Sequence, residues 1–250
     1  MRTVYRTVFL MGMLLSPVLS AEAWDGVVDW AQRTALSTAT SGVVNKVLVR
    51  AGDRVAKGDL LVQLEQRALR ARVAQGKAEM KHKQLLRDEA NKELERAEEL
   101  YARTLLADHD LNLAKIEYAS ADAVYQRSRA DYLLAQQQLA YSELHAPFDA
   151  VVLARLVQPS ETVVTQLRAE PMLVIAAAGK RLARFTVSPG SDHSLSVGQK
   201  VVIEVSGKRY EGTVTSVERD SNGKTSGYRL EAEFDTDSDY APGMALKVSR

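Results

Sequence analysis

The stretch "SGVVNKVLVRAGDRVAKGDLLVQLE", residues 41–65, alternates valines with polar residues in short runs, and a second stretch, "DAVVLARLVQPSETVVTQ" at 149–166, repeats it. Alternation of this kind predicts short, half-buried β-strands. Glycines separate the runs, and Gly52-Asp53 is a turn signal. The turn glycines of the first stretch are Gly42, Gly52 and Gly58. Both stretches are therefore expected to fold as strands joined by tight turns.

The two stretches align at an offset of 108 residues. This offset places Val44 on Val152, Val49 on Val157 and Val55 on Val163, and with four extra residues Leu60-Leu61-Val62 falls on Met172-Leu173-Val174. The repeat predicts a small β-sandwich in which two similar halves interleave; the alternative is a chance similarity between valine-rich segments.

Two turn positions differ between the halves. Ala150 and Ser160 stand where Gly42 and Gly52 stand in the first half. Because glycine adopts positive φ more readily than other residues, we expect the second-half turns to be less tight or differently shaped.

Between the halves lie two segments with a seven-residue repeat. In the first, the repeated positions are 69, 73, 76, 80, 83, 87, 90, 94, 97 and 101; in the second, they are 111, 114, 118, 121, 125, 128, 132, 135 and 139. Many of them hold small residues, leucine or tyrosine. A repeat with steps of three and four predicts a left-handed coiled coil, although Lys83 and Arg87 interrupt the first seam.

The break near "LLADHDL" predicts that these helices form an antiparallel hairpin. Asp108 and Asp110 suit the start of the second helix, both as caps and by interaction with its dipole. At 1.5 Å per residue, each arm spans roughly 50–60 Å, far more than a small core requires.

The chain's two ends carry further signals. Arg2 and Arg6 precede the apolar run "VFLMGMLLSPVLS", and Ala21-Glu22-Ala23 follows, so residues 1–23 are interpreted as a cleavable signal peptide. The alternative is an uncleaved membrane anchor.

Near the C-terminus, Leu230, Ala232 and Phe234 alternate with charged residues, which predicts a half-buried strand. The segment "DSNGK" carries an Asn-Gly hairpin signal.

Composition narrows the functional classes. The 33 lysines and arginines nearly balance 32 aspartates and glutamates, which argues against a nucleic-acid binder. With no cysteine, disulfides and thiol chemistry are excluded. The four histidines are scattered, and no nucleophile-elbow motif is present.

The order of these features resembles the membrane fusion protein family, also called periplasmic adaptor subunits. The resemblance rests on the split lipoyl-like segments, with "APFDAVV" where the family has A-P-F-D-G, and on the helical segment between them. It also rests on "VGQKVVI", "YEGTVTSVE" and "APGMALKV" near the C-terminus.

The resemblance implies an elongated α+β fold: a lipoyl-like β-sandwich split by a long antiparallel coiled-coil hairpin and followed by a β-barrel. The expected segments are 24–40, an N-terminal strand joining the barrel; 41–65, the first lipoyl-like half; 66–142, the hairpin; 143–178, the second half; and 179–250, the barrel.

The resemblance also implies a non-enzymatic function without cofactor. The expected protein is a periplasmic adaptor at the inner membrane, linking a resistance-nodulation-division or ABC transporter to an outer-membrane channel, as a homo-oligomer of about six copies. The alternatives are a periplasmic scaffold without a transport role and a type I secretion adaptor.

At the hairpin tip, the family pattern is an Arg, a Leu four residues later, and a Ser at the start of the second helix. Arg96 and Leu100 match the first two positions, while Ala107 occupies the serine position. The residues expected to dock on a channel are Arg96, Leu100, Leu106, Ala107 and Asp108.

Consecutive Asp108, His109 and Asp110 could in principle ligate a metal, but three neighbours at a helix start rarely converge on one ion, so no metal site is expected.

Overall fold

The computed structural model describes residues 23–165, 170–188, 195–220 and 227–250. These residues form two units, one of the N-terminal strand with residues 179–250, the other of residues 32–178. The expected signal peptide lies almost wholly outside the described residues, and so does the Asn-Gly turn. Among the described helices, none is both long and apolar enough to cross a membrane.

The first unit is a closed six-stranded barrel, which agrees with the barrel expected from the C-terminal sequence. Its strands in chain order are β1 (Ala23–Trp30), β10 (Lys180–Val187), β11 (Lys200–Val205), β12 (Lys208–Asp220), β13 (Gly227–Asp235) and β14 (Ala245–Ser249). They close in the order β1-β10-β13-β12-β11-β14. The alternation on β13 buries Leu230, Ala232 and Phe234 in the barrel core, as the sequence pattern predicts.

The second unit contains a β-sandwich and two long helices. Its elements are β2 (Arg33–Leu36), β3 (Gly42–Val47), β4 (Arg54–Val55), β5 (Leu60–Leu64), α1 (Arg67–Ala102), α2 (Asp108–Ala140), β6 (Glu143–His145), β7 (Ala150–Arg155), β8 (Thr162–Val163) and β9 (Leu173–Ala177). One sheet has the order β2-β9-β7-β4 and the other β6-β5-β3-β8. Each sheet therefore combines strands from both sides of the helices, which is the predicted interleaving.

The sandwich has an internal two-fold repeat that can be checked residue by residue. Val55 of β4 pairs with Ala150 of β7, and at an offset of 108 its counterpart Val163 of β8 pairs with Gly42 of β3. Because each half lends a short strand to the other half's sheet, neither half has a complete core without its partner.

The predicted alignment of β5 with β9 is wrong by one residue. Val62 pairs with Val47, and Leu173 pairs with Arg155, the counterpart of Val47. The insertion is thus three residues rather than four, and Leu61 corresponds to Met172. This register places buried Val62 on buried Leu173 and half-buried Gln63 on half-buried Val174, whereas a four-residue insertion would place buried Val62 on half-buried Val174.

The stretch 24–40 does not form one strand that joins the barrel. Its first part, β1, belongs to the barrel, whereas β2 pairs with β9 in the sandwich. Leu36 pairs with Leu173. Leu144, which lies 108 residues after Leu36, pairs with Val62, the counterpart of Leu173. Strand β2 is therefore the first-half counterpart of β6, and the repeat begins earlier than the sequence pattern indicates.

The second-half turn has the same shape as the first, contrary to expectation. Ser160 adopts a positive φ of 71°, and Gly52 has a φ of 95°. The amide of Gly52 donates to the Val152 carbonyl at 2.8 Å, and the amide of Ser160 donates to the Val44 carbonyl at 2.7 Å. Serine accepts the strained backbone because the surrounding hydrogen bonds repeat those of the glycine turn.

Candidate functional site

The candidate site is the pair of helices that interrupts the sandwich. α1 and α2 run antiparallel, because residues near the start of α1 contact residues near the end of α2. Arg72 donates a hydrogen bond to Gln138, and Gly76 lies against Tyr132. Every position of the predicted seven-residue repeat is half-buried or buried, except for exposed Tyr101. On α2 the buried positions are Leu111, Ser128 and Ala135, all of them in the repeat. The two helices thus bury one stripe each against the other.

Close approach between the helices depends on small side chains. A Cβ on Gly76 would lie 3.2 Å from the Cα of Tyr132, closer than ordinary contact allows without a shift. The hydroxyl of buried Ser128 donates to the Tyr125 carbonyl at 2.8 Å, so this polar group is satisfied within its own helix.

Arg87 and Lys83, which break the sequence repeat, do not break the packing. The guanidinium of Arg87 lies 4.5 Å from the centre of the Tyr125 ring across the helix pair. A hydrogen bond to Asp88 raises the pKa of Arg87, and Lys83 forms an ion pair with Glu79. Arg87 therefore takes part in the seam through a cation–π contact, while Lys83 is paired within its own helix.

The end of the helical pair that joins the sandwich, called the root below, is held by a polar network that was not predicted from the sequence. Gln66, which precedes α1, donates to the Ser142 hydroxyl at 2.9 Å and to Glu143 at 2.8 Å. Hydrogen bonds from Gln66 and then Gln63 and His145 lower the pKa of Glu143 against the opposing effect of burial. Since Gln66 and Ser142 are buried, the network ties the start of α1 to the end of α2. The sequence does not predict this network, because Gln66 lies far from Ser142 and Glu143 along the chain and no motif links them.

The root network also reaches a turn of the sandwich. His145 bonds through Nδ1 to the carbonyl of Gly58 at 2.9 Å, and its Nε2 lies 3.3 Å from Glu143. Gly58 has a φ of 92° and lies in the same turn as Lys57. The backbone amide of Lys57 donates to the Asp149 carboxylate at 2.8 Å.

The predicted turn glycines have different roles. Gly52 and Gly58 occupy positive-φ positions. Gly42 instead allows close packing, because a Cβ there would lie 3.2 Å from Leu64. All three lie in the sandwich, and the site residues predicted at the tip lie at the other end of the helices.

At the tip, five residues connect α1 to α2. Thr104 has a φ of 59°, and the amides of Thr104 and Leu105 donate to the carbonyls of Tyr101 and Leu100 at 2.8 and 2.9 Å. This is the Schellman arrangement that ends a helix, with threonine where glycine is usual.

The expected capping by Asp108 is not present. Ala107 occupies the N-cap position with an extended backbone, and no side chain caps the helix. Asp108 is the first helical residue, where its charge interacts favourably with the helix dipole. Its carboxylate accepts a hydrogen bond from Tyr101, which raises the pKa of that tyrosine and joins the two helices at the tip.

The remaining predicted tip residues are largely accessible. Arg96 is exposed and forms an ion pair with Glu93 one turn earlier on α1. Leu100 is 37% exposed and Leu106 is half-buried, while Leu105 beside it is 71% exposed. No group of three potential metal ligands occurs among the residues that the structure describes.

The sandwich identifies the family. Residues 32–170, more than half of the chain, match the family described as the CzcB-like barrel-sandwich hybrid domain. The chain belongs to this family. The resemblance to membrane fusion proteins, inferred from the motif order, is thereby confirmed.

Individual relatives in this family are distant. The macrolide export protein MacA of Yersinia pestis is 23% identical over 215 residues, which cover 77% of this chain and 56% of that protein. The multidrug resistance protein MdtA of Escherichia fergusonii is 23% identical over 251 residues, covering 91% of this chain and 60% of that protein. The chain spans somewhat more than half the length of these relatives.

A solved structure shares the fold over almost the whole chain. The membrane fusion protein Spr0693 from Streptococcus pneumoniae R6 superposes with a TM-score of 0.68 at 17% identity. The match covers 92% of this chain and 98% of that structure. At this identity, the likeness shows the shared fold alone.

Proposed function

We propose that this protein is a non-enzymatic periplasmic adaptor of an export system, located at the inner membrane. It links an inner-membrane transporter of the resistance-nodulation-division or ABC class to an outer-membrane channel, with about six copies in the assembly. The observation that carries this proposal is the helical pair, 36 and 33 residues long, which leaves the sandwich and returns to it.

The length of the helices supports a bridging role. At 1.5 Å per residue, α1 is about 54 Å long. The buried root network anchors one end in the sandwich, so the tip is held far from the sandwich core. We propose that the pair is a left-handed coiled coil, because its buried positions follow a seven-residue repeat.

The tip offers the chemistry for docking. Arg96 can donate several hydrogen bonds in a fixed fork to carbonyls or carboxylates of a channel. Leu100 and Leu106 offer apolar area beside it. Ala107 and Asp108 form the start of α2, where a channel would meet free backbone amides.

The sandwich is proposed to be an unmodified structural domain. A lipoyl or biotinyl carrier presents its lysine on a tight turn between the two halves, and here α1 and α2 occupy that place. In this proposal the sandwich stacks copies side by side, as expected of a ring with contacts that close.

Two substitutions at the tip test the proposal. Arg96→Asp and Leu100→Ser should each reduce export by about tenfold or more, since loss of a charged or apolar interface anchor typically costs more than 1.4 kcal/mol. Export is measured as substrate tolerance of a deletion strain complemented with each variant.

Matched controls separate docking from folding. Lys92→Asp alters an ion pair of the same i,i+3 kind one turn nearer the root, and Leu85→Ser removes a leucine that is 61% exposed on the same helix. Both should export normally. Normal export by the tip variants, or a lower helix content measured by circular dichroism, would refute the docking role.

A further inference from the structure

One end of the barrel places three hydroxyl groups and an ammonium group around a single phenol. The phenol belongs to Tyr210 of β12, which is half-buried. Its Oη lies 2.7 Å from Oη of Tyr240 and 3.3 Å from Oγ of Ser238. Thr236 also forms a hydrogen bond with the Tyr210 hydroxyl, and Nζ of Lys208 donates to Oγ of Ser238 at 3.4 Å. These residues come from the start of β12 and from the segment that follows β13.

The ring of Tyr210 is held by packing against the barrel core. Its centre lies 5.4 Å from the centre of the Phe234 ring and 5.9 Å from that of the Tyr240 ring. The two tyrosine rings meet edge to face, at 83°, which is a favourable geometry for an aromatic pair. The position of the Tyr210 oxygen is therefore set by the core.

The segment that follows β13 is held by the buried guanidinium of Arg181. Its Nε donates to the carbonyl of Tyr240 at 3.1 Å, and its Nη2 forms an ion pair with Asp239 at 3.3 Å. The guanidinium also lies 4.1 Å from the centre of the Trp30 ring. Because these contacts fix the segment, its hydroxyl groups are preorganised around the phenol.

The directions of the hydrogen bonds favour the ionised phenol. The Tyr240 hydroxyl lies 2.7 Å from Tyr210 but 3.5 Å from the carbonyl of Val205, so it donates to Tyr210. Ser238 accepts from Lys208, which leaves the serine proton free to point at Tyr210. Hydrogen bonds donated to an anionic oxygen stabilise the charged form, and a nearby positive charge adds to this effect.

The acidity of the two tyrosines agrees with this arrangement. Hydrogen bonds with Ser238, Thr236 and Tyr240 lower the pKa of Tyr210 to about 8, and the charge of Lys208 acts in the same direction. The hydrogen bond with Tyr210, together with burial, raises the pKa of Tyr240. Tyr210 therefore loses its proton first. At pH 7.5 about a quarter of it is phenolate, against well under about one per cent of an ordinary tyrosine.

We propose that Tyr210 is a modification site of the barrel, a nucleophilic phenol that takes acyl groups from activated acyl donors. The phenol loses its proton to water, and the phenolate Oη attacks the acyl carbon. The bond between that carbon and the leaving group breaks, the leaving group takes a proton from water, and an aryl ester remains. Ser238, Tyr240 and Lys208 are positioning residues, because they act through the Tyr210 oxygen.

Acetylation of the full-length protein with N-acetylimidazole at pH 7.5 tests the proposal. Tyr228 of β13 is the internal control, because it is 43% exposed and thus more accessible than Tyr210. Tyr210 should be acetylated roughly tenfold faster, since its larger phenolate fraction outweighs the lower nucleophilicity of a more acidic group. Peptide mass spectrometry measures both rates, and hydroxylamine should remove the acetyl group, as expected of an aryl ester. Equal rates, or faster acetylation of Tyr228, would overturn the proposal.

Variants of the positioning residues separate activation from accessibility. Ser238→Ala should slow acetylation of Tyr210 by about threefold at pH 7.5, because loss of one donor raises the pKa of the phenol, and Lys208→Met should act in the same direction. The matched control is Lys200→Met, which removes a lysine paired with Glu211 on the same barrel and should leave the rate unchanged. If Ser238→Ala and Lys208→Met both react like the natural chain, the hydroxyl groups do not activate Tyr210.

A titration measures the activation without any reagent. The absorbance at 295 nm of the natural chain minus that of Tyr210→Phe should show one phenol that ionises near pH 8. A difference that develops only near pH 10, the ordinary range of tyrosine, would contradict the proposal. The adaptor function stands in either case, because its tests concern the helical tip and this site belongs to the barrel.

Discussion

At position 160, a serine adopts the left-handed backbone conformation that glycine adopts at position 52. The sequence could show that the two positions correspond, because the flanking valines repeat at a fixed offset. It could not show that the turn keeps its shape, since residue preference alone favours a different turn when glycine is absent. The hydrogen bonds from the opposite half decide the conformation, and these are long-range contacts.

This residue gives a test of the repeat. Ser160→Gly should raise the free energy of unfolding by about 0.5–1 kcal/mol, because relief of about 1–2 kcal/mol of left-handed strain exceeds the entropy that glycine adds to the unfolded chain. Urea unfolding followed by circular dichroism measures the difference.

The reciprocal change at the equivalent position is the control. Gly52→Ser should destabilise by about 1 kcal/mol, since serine there acquires the same strain. A loss of stability in Ser160→Gly, with no effect of Gly52→Ser, would show that the two turns are not equivalent.

At the level of elements, the helices were the most predictable part of the site. Their buried stripes follow from the spacing of small and apolar residues, because a helical face is set by local periodicity. The root network and the stacking of Arg87 on Tyr125 could not be predicted, since both join residues far apart in sequence. The extra strand β2 was missed for the same reason: its four residues become a strand only by pairing with β9.

Helix packing can be tested at Gly76, where an added Cβ would lie 3.2 Å from the Cα of Tyr132 on the facing helix. Gly76→Leu should destabilise the helical pair by about 1–3 kcal/mol, because the added side chain meets the backbone of Tyr132 rather than a flexible chain end. Thermal unfolding at 222 nm reports the change.

Ala78→Leu places the same side chain two residues away on the exposed face of α1. It should change stability by no more than about 0.5 kcal/mol, as expected for a surface position. Equal stability of the two leucine variants would contradict the tight approach at Gly76.

For the molecule as a whole, the sequence predicted the order of the parts better than their boundaries. Two valine-rich halves around a helical insertion specify an interleaved sandwich, because each half alone would leave an open core. The register of β5 with β9 and the division of residues 24–40 depended on pairings between distant strands. The partners cannot be deduced from the fold, since the same fold occurs in a protein that is only 17% identical in sequence.

The most direct test of the bridging function is photo-crosslinking at the tip in intact cells. A photoreactive amino acid replaces Leu106, with the exposed Lys92 on α1 as the control position, and the adducts are purified through the adaptor and identified by mass spectrometry. We expect an adduct between position 106 and an outer-membrane channel, little or none from position 92, and an inner-membrane transporter in the same purified complex. Efficient crosslinking at position 92 but not at 106, or a complex without any membrane protein, would contradict the account.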